Sequence, residues 1–256
     1  MLSALTWIST AILGLALGSF GTVLATRVPA SESIVAPGSA CRSCGTPLRG
    51  RDNIPVLSYV LLRGRCHACA ARISPTYPLL ELSTALLFCS AWLIGGATPE
   101  GAALAGIAVL GPPLFLIDLR HHRLPDVLVG ATAAWLLGCA VAQGVIDGSA
   151  ATPIRAVTAG LLCAVTLFAL AIITRGGMGM GDVKLAGTLG MATELISWSA
   201  VMYGMIVAFL IGGVAAAILL LSGRAPKGTA IAFGPMLLTG AFVTVVLEAL
   251  PVSLSW

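Results

Sequence analysis

The chain is a succession of apolar runs, each about long enough to cross a bilayer, with most of its charge gathered between them. A crossing needs roughly 20 mostly apolar residues, within a range of about 17 to 25. Runs of this kind occupy 4–26, 79–96, 101–118, 127–146, 155–174, 183–198, 199–222 and 229–250. The stretch 185–222 carries a single charge, Glu194. At about 1.5 Å per residue it is too long for one crossing and is therefore divided in two. The first 26 residues carry no charge, unlike a secretory signal with its basic start, so they read as a retained first span. Only 9% of the 256 residues are charged and 58% are hydrophobic, whereas an average soluble domain carries about 25% charge. These features predict an all-α polytopic membrane protein of about eight transmembrane helices. The bilayer is one expected partner, and nucleic acid is not expected to be one.

The distribution of basic residues predicts the orientation. Between the first two spans lies the only sizeable polar segment, 27–78, with Arg27, Arg42, Arg49, Arg51, Arg63, Arg65 and Arg72. Eight spans put this segment on the same side as the loops 119–126, 175–184 and 223–228, which add Arg120, Arg123, Arg175, Lys184, Arg224 and Lys227. The opposite side has Arg155 alone. Cytoplasmic loops collect Lys and Arg, so the polar segment and these loops are expected in the cytoplasm, with both termini outside. Glu100, Asp147, Glu194 and Glu248 then fall at or near the outer ends. The expected organisation is a first helix at 1–26, a cytoplasmic module at 27–78, and a seven-helix membrane domain at 79–256 whose site lies within 101–250.

Seven cysteines fall into two groups. Cys89, Cys139 and Cys163 stand singly in apolar runs and read as small hydrophobes. Cys41 and Cys44 form CRSC, and Cys66 and Cys69 form CHAC, the two separated by 21 residues. Two CxxC pairs at about this separation suit a structural four-thiolate zinc site, each pair clamping one edge of a tetrahedron. A disulfide or redox dithiol is the rival, disfavoured by the reducing cytoplasm. So small a module has little core, and metal would supply much of its folding. His67, inside the second pair, reads more simply as an exposed loop histidine than as a ligand.

Two aspartates sit at the expected cytoplasmic boundary of different spans. Asp118 ends the third span in FLIDLRHHRLPD, and Asp182 precedes the sixth in GMGMGD. Two carboxylates held close share a proton, so one can deprotonate water while the other polarises a carbonyl. This is the acid–base requirement of peptide hydrolysis by an aspartic dyad. Gly179 and Gly181 would let the backbone approach an extended substrate without side-chain clash. Asp126, just after Pro125, reads either as a favourable helix N-terminal charge or as site support.

On these residues the chain resembles the bacterial type IV prepilin peptidases, bifunctional leader peptidases and N-methyltransferases. The motif GxGD matches Gly179, Met180, Gly181 and Asp182, followed by Val183-Lys184-Leu185; a second family aspartate, in the context ID-x5-LPD, matches Asp118. The stretch NIPVLSYVLLRGRCHACAARISPTYPLLE (53–81), GSFGTVLATRVP (18–29) and AFGP (232–235) extend the resemblance over nearly the whole chain. Thr22, Arg42 and Ala232 stand where the family usually has asparagine, proline and proline. The resemblance implies Asp118 and Asp182 as catalytic residues, with Gly179, Gly181, Lys184 and Asp126 in support. It implies a prepilin or pseudopilin substrate of pilus or type II secretion systems. The leader would be cleaved after a glycine at the cytoplasmic face of the inner membrane. The new amino terminus would then be methylated with S-adenosylmethionine. Glu81, at the entry to the second span, reads either as a group orienting the amine or cofactor, or as an interfacial charge pairing with Arg72. Two other classes are a transporter with a zinc module, which predicts ionisable groups near the bilayer midplane, and a non-catalytic assembly scaffold, which leaves GMGMGD unexplained.

Overall fold

A computed structural model describes residues 4–174, 178–222 and 232–249. Arg175, Arg224 and Lys227, used above for orientation, lie outside the described residues, as do Gly176 and Gly177. The described residues form no strands, only two isolated bridges. The helices are α1 (Ala4–Arg27), α2 (Leu57–Leu61), α3 (Thr76–Gly95), α4 (Pro99–His121), α5 (Asp126–Ile146), α6 (Ala151–Ile173), α7 (Met180–Glu194), α8 (Trp198–Leu221) and α9 (Gly234–Ala249), with a short 3-10 turn at Gly50–Asn53. The eight apolar runs appear as α1 and α3–α9. Among the described residues, α1, α3, α4, α5, α6 and α8 are long and apolar enough to cross a membrane. The two shorter helices are α7, with 15 residues, and α9, with 16.

The chain divides into two compact units, residues 1–93 with 108–113, and residues 94–107 with 114–256. In the first unit, Gly14 and Gly18 let α1 lie close against α3. A Cβ at Gly14 would meet the Ala85 Cα at 2.8 Å, and one at Gly18 would meet the Glu81 Cα at 2.7 Å. Small residues four apart are the usual means of close helix approach in lipid, where no hydrophobic effect drives helices together.

In the second unit α7 is the centre and packs against α5, α6, α8 and α9. Eleven of its fifteen residues are buried, so it meets protein on nearly every side. Its length, about 22 Å at 1.5 Å per residue, is short of a ~30 Å hydrocarbon core. A helix shielded by its neighbours needs neither full length nor an apolar surface, and α7 accordingly carries polar residues at both ends. It nests on α6 through glycine contacts. A Cβ at Gly190 would meet the Cys163 Sγ at 2.8 Å, and one at Gly160 would meet the Gly187 oxygen at 2.8 Å. The division of 185–222 falls earlier than the apolar pattern suggested. α7 ends at Glu194, and Ser197 caps α8 by accepting the Ala200 N–H at 2.9 Å. The start is also earlier, so that Asp182 lies in the first turn of α7 rather than in the preceding loop. A lone apolar pattern misses this because glycine and methionine carry the first turn.

Glu194, read from the sequence as a charge near an outer end, is buried with 1% of its side chain exposed. It pairs with Arg155 Nε at 2.9 Å. Arg155 lies in the first turns of α6, so the pair ties that end of α6 to the last residue of α7. Removing one partner of a buried pair leaves a charge unpaired, at a cost of several kcal/mol, lessened here because Arg155 is half exposed. Arg155→Ala, which strands the carboxylate, is expected to cost about 3 kcal/mol, and Glu194→Gln about 1 kcal/mol. Thermal unfolding in detergent should give that order, with the double variant more stable than Arg155→Ala. The reverse order would mean that the pair does not hold α6 to α7.

Candidate active site and four-cysteine cluster

Three helix termini of the second unit meet at two carboxylates. Asp118 lies in the last turn of α4, which His122 closes in a left-handed conformation (φ 50°), its N–H donating to the Asp118 carbonyl at 2.8 Å. Asp182 occupies the first turn of α7. Its Oδ2 accepts the Gly179 N–H at 3.3 Å, half of a capping box, while its own N–H donates to the Gly179 carbonyl at 3.1 Å. The third terminus is the start of α9. There the Gly234 N–H donates to Asp118 Oδ2 at 3.0 Å, and the same amide also interacts with Asp182, which lies within electrostatic range of Asp118. Both carboxylates are buried, at 4% and 9% exposure. Helix N-termini carry unpaired N–H groups and partial positive charge, so α7 and α9 supply what two buried acids need.

The glycines around this site permit close packing within the protein. A Cβ at Gly181 would meet the Leu124 Cβ at 3.0 Å, and one at Gly179 would face Asp182 Oδ2 at 3.3 Å. Gly181 therefore seats the first turn of α7 against the Leu-Pro-Asp segment, a different reason for glycine from the substrate approach expected above. Gly234 has the least room: a Cβ there would fall 2.7 Å from Asp118 Oδ2 and 3.3 Å from Leu124 Cδ1. Gly234 and Leu124 were not singled out from the sequence. The signal was present, since Gly234 lies inside AFGP and Leu124 inside LPD, but neither residue carries a reactive group.

Asp126 is the first residue of α5, where a negative charge suits the helix N-terminus. Its Oδ1 also accepts from Lys184 Nζ at 2.8 Å. The pair is exposed, and it joins the first turn of α5 to that of α7, two residues beyond Asp182. Glu81 is buried in the first unit, where its Oε2 accepts the Val56 N–H at 2.7 Å. It is this amide, rather than Arg72, that takes the carboxylate. Val56 sits at φ 60°, a conformation β-branched residues seldom adopt, so the bond holds a strained turn.

The four cysteines come together with their sulfurs all within 4.8 Å of one another. A tetrahedral zinc with ~2.3 Å bonds places its sulfurs about 3.8 Å apart, and Cys41 and Cys69 are at 3.9 Å. The cluster is thus of a size and chemistry that can hold a metal ion. Two equivalent turns build it. Cys41 N–H donates to the Thr46 carbonyl and Gly45 N–H to the Cys41 carbonyl, both at 2.9 Å. Likewise Cys66 N–H donates to Ala71 at 2.9 Å, and Ala70 N–H to Cys66 at 3.0 Å. Hydrogen bonding with the Thr46 hydroxyl and amide lowers the Cys44 thiol to about 6, whereas at Cys69 the Ala71 backbone bond is outweighed by hydrogen bonding with Cys44 and by burial, which raise it to about 11. His67 takes no part in the cluster. Half-buried rather than exposed, it places Nδ1 3.1 Å from the buried Asp52 carboxylate.

A multi-pass helical membrane protein with a buried pair of carboxylates and a separate four-cysteine module is the class so defined. Residues 12–94 match the bacterial peptidase A24 N-terminal domain, and 102–221 match the type IV leader peptidase family. The chain is 33% identical to the prepilin leader peptidase/N-methyltransferase of Pseudomonas aeruginosa, covering 91% of this chain and 88% of that protein. It is 32% identical to a type 4 prepilin-like proteins leader peptide-processing enzyme of Escherichia coli, over 93% of this chain and 92% of that protein. Against the prepilin leader peptidase/N-methyltransferase of Bacillus subtilis the figures are 31%, 91% and 90%. No solved structure matches. The chain belongs to the type IV leader peptidase family.

The two cysteine turns differ at the residue that follows the second cysteine. Gly45 adopts φ 72°, whereas its counterpart Ala70 adopts φ 56° and bears the steric cost of a Cβ there. That cost is roughly 1–2 kcal/mol. Ala70→Gly is therefore expected to tighten the module, seen as about tenfold slower release of bound metal to a chelator. Faster release would show that the second turn does not limit the module.

Proposed function

We propose that this protein removes the leader peptide of prepilins or pseudopilins and methylates the amino terminus thereby exposed. In this reading Asp118 and Asp182 are the catalytic pair, and the site faces the cytoplasm from the bacterial inner membrane. The observation that carries the reading is the single Gly234 amide at the head of α9, which bonds Asp118 and also interacts with Asp182. The amide stabilises negative charge without supplying a full counter-charge, and two buried carboxylates within electrostatic range of each other resist ionising together. The ionised oxygen takes a proton from water as the water attacks the scissile carbonyl. The protonated partner donates to the carbonyl oxygen, giving a gem-diol; as the C–N bond breaks, the proton taken from water goes to the leaving amine and the diol returns a proton to the partner. Lys184 and Asp126 support the site by pinning the first turns of α5 and α7 together. The transporter reading loses ground, because the buried carboxylates described here sit at helix ends.

Zinc is the metal we assign to Cys41, Cys44, Cys66 and Cys69, a soft four-thiolate set that suits it. It would act structurally, organising residues 27–78 with no place in peptide hydrolysis. S-adenosylmethionine would supply the methyl group for the second activity. Glu81 is the residue of this region that suits the accepting amine: Val56 N–H and the Ser19 hydroxyl bond its carboxylate, which has acceptor lone pairs left for an ammonium donor.

Asp118→Asn and Asp182→Asn are each expected to abolish cleavage in a protein that still folds, since residues acting as a unit fail together. Gly234→Ala, which must displace Asp118 Oδ2, is expected to slow cleavage about a hundredfold. Mass spectrometry of a prepilin amino terminus after incubation with each purified variant reads this out. Near-normal cleavage by either asparagine variant would rule the dyad out.

Glu81→Gln is expected to impair methylation more than cleavage, with both products quantified on one substrate. Equal, mild losses would assign Glu81 to packing alone. Normal methylation of precleaved pilin together with poor cleavage would overturn the division of labour. If the wild-type protein, with Thr22 in place of the family's asparagine, cleaves and does not methylate, the transferase half falls and the dyad stands.

A further inference from the structure

One surface outside both sites has apolar and basic residues that neither activity uses. α2 is five residues long, and Leu57, Val60 and Leu61 stand at the i, i+3, i+4 spacing of one helix face. They are 50%, 63% and 70% exposed, in a segment flanked by charge rather than inside an apolar span. Arg49 and Arg51 precede this helix and Arg63 and Arg65 follow it, all exposed, as are Arg42 and Arg72 in the same module. Opposing charge is scarce. The Asp52 side chain is buried against His67 and lies 3.9 Å from Arg51 Nε, leaving Glu32 as the exposed acid between residues 27 and 78. The helix is also held firmly. Gly64 N–H donates to the Tyr59 carbonyl at 2.8 Å, and Ile73 N–H donates to Gly64 at 2.8 Å, which couples the end of α2 to the second cysteine turn.

We propose that α2 docks on an anionic bilayer surface, with Leu57, Val60 and Leu61 at the acyl boundary and the flanking arginines on lipid phosphates. Apolar residues on one side and basic residues around them are what an interfacial helix requires. The module is joined at both ends to helices that cross the membrane, α1 ending at Arg27 and α3 beginning at Thr76, so the lipid surface is always within reach. A second copy of the chain is a poor occupant, because it would bring the same arginines face to face. Anionic headgroups neutralise them. Docking of this kind would hold the four-cysteine module flat on the membrane, a constraint beyond the orientation that basic loops set.

The test uses the full chain carrying Leu61→Trp in nanodiscs of phosphatidylcholine with phosphatidylglycerol, the parent protein's emission being subtracted. The added emission is expected to be quenched by lipids brominated on the acyl chain and protected from acrylamide. Arg63→Gln and Arg65→Gln should each lower the docked-to-undocked ratio roughly fivefold. Removing phosphatidylglycerol or raising salt should act in the same direction. Quenching by acrylamide alone would overturn the proposal, as would shielding from both quenchers, which would mean that protein covers the face. Bromolipid quenching that ignores phosphatidylglycerol, salt and both arginines would overturn the phosphate contacts. Leu57→Trp provides the same reading should Leu61→Trp fail to accumulate.

Discussion

The enclosure of α7 is the constraint on which the second unit depends. In a bilayer no water is available to satisfy a polar group, so ionisable side chains must find partners inside the protein. α7 carries one carboxylate in its first turn and one at its last residue. Packing against α5, α6, α8 and α9 removes both from lipid. Glu194 meets Arg155, and Asp182 meets backbone N–H groups beside a second carboxylate. The glycine contacts with α6 make so tight an enclosure possible. Larger residues at Gly160 or Gly190 would push α6 and α7 apart.

The carboxylate pair then follows from how helices end. α4 terminates at Asp118, α7 begins beside Asp182, and α9 begins with the amide that bonds Asp118. Each helix must satisfy its terminal backbone groups, and each acid must find donors. The two needs are met by the same bonds. An amide dipole stabilises negative charge without adding a full positive one. A lysine in place of the Gly234 amide would bind one of them as a salt bridge.

The first unit solves a different problem. Residues between α1 and α3 have too little apolar content to form a core, and two short turns bring four sulfurs together instead. Their repeated hydrogen-bond pattern, Cys to the fifth residue and the fourth residue back to Cys, makes each CxxC a preformed half-site. In the same unit Glu81 reaches from α3 to the amide of the strained Val56, so the entry to α2 is tied to a membrane helix.

Much of this was legible in the chain itself. Runs of apolar residues fix helices, because helices alone satisfy every backbone group of a single segment in lipid. The spacing of CRSC and CHAC fixes which sulfurs can meet, since paired cysteines at such separations have few other ways to gather. GMGMGD and FLIDLRHHRLPD marked two acids, and the resemblance carried by these motifs pointed to a family that the comparisons bear out. Only the tertiary structure decided that Asp182 lies within α7, that Glu194 is buried on Arg155, that Lys184 takes Asp126, and that Gly234 and Leu124 complete the carboxylate site. These are contacts between residues far apart in the chain, made by side chains or amides with no distinctive local pattern. A sequence shows which groups need a partner; the packing of helices selects the partner, because it alone sets which helix ends meet.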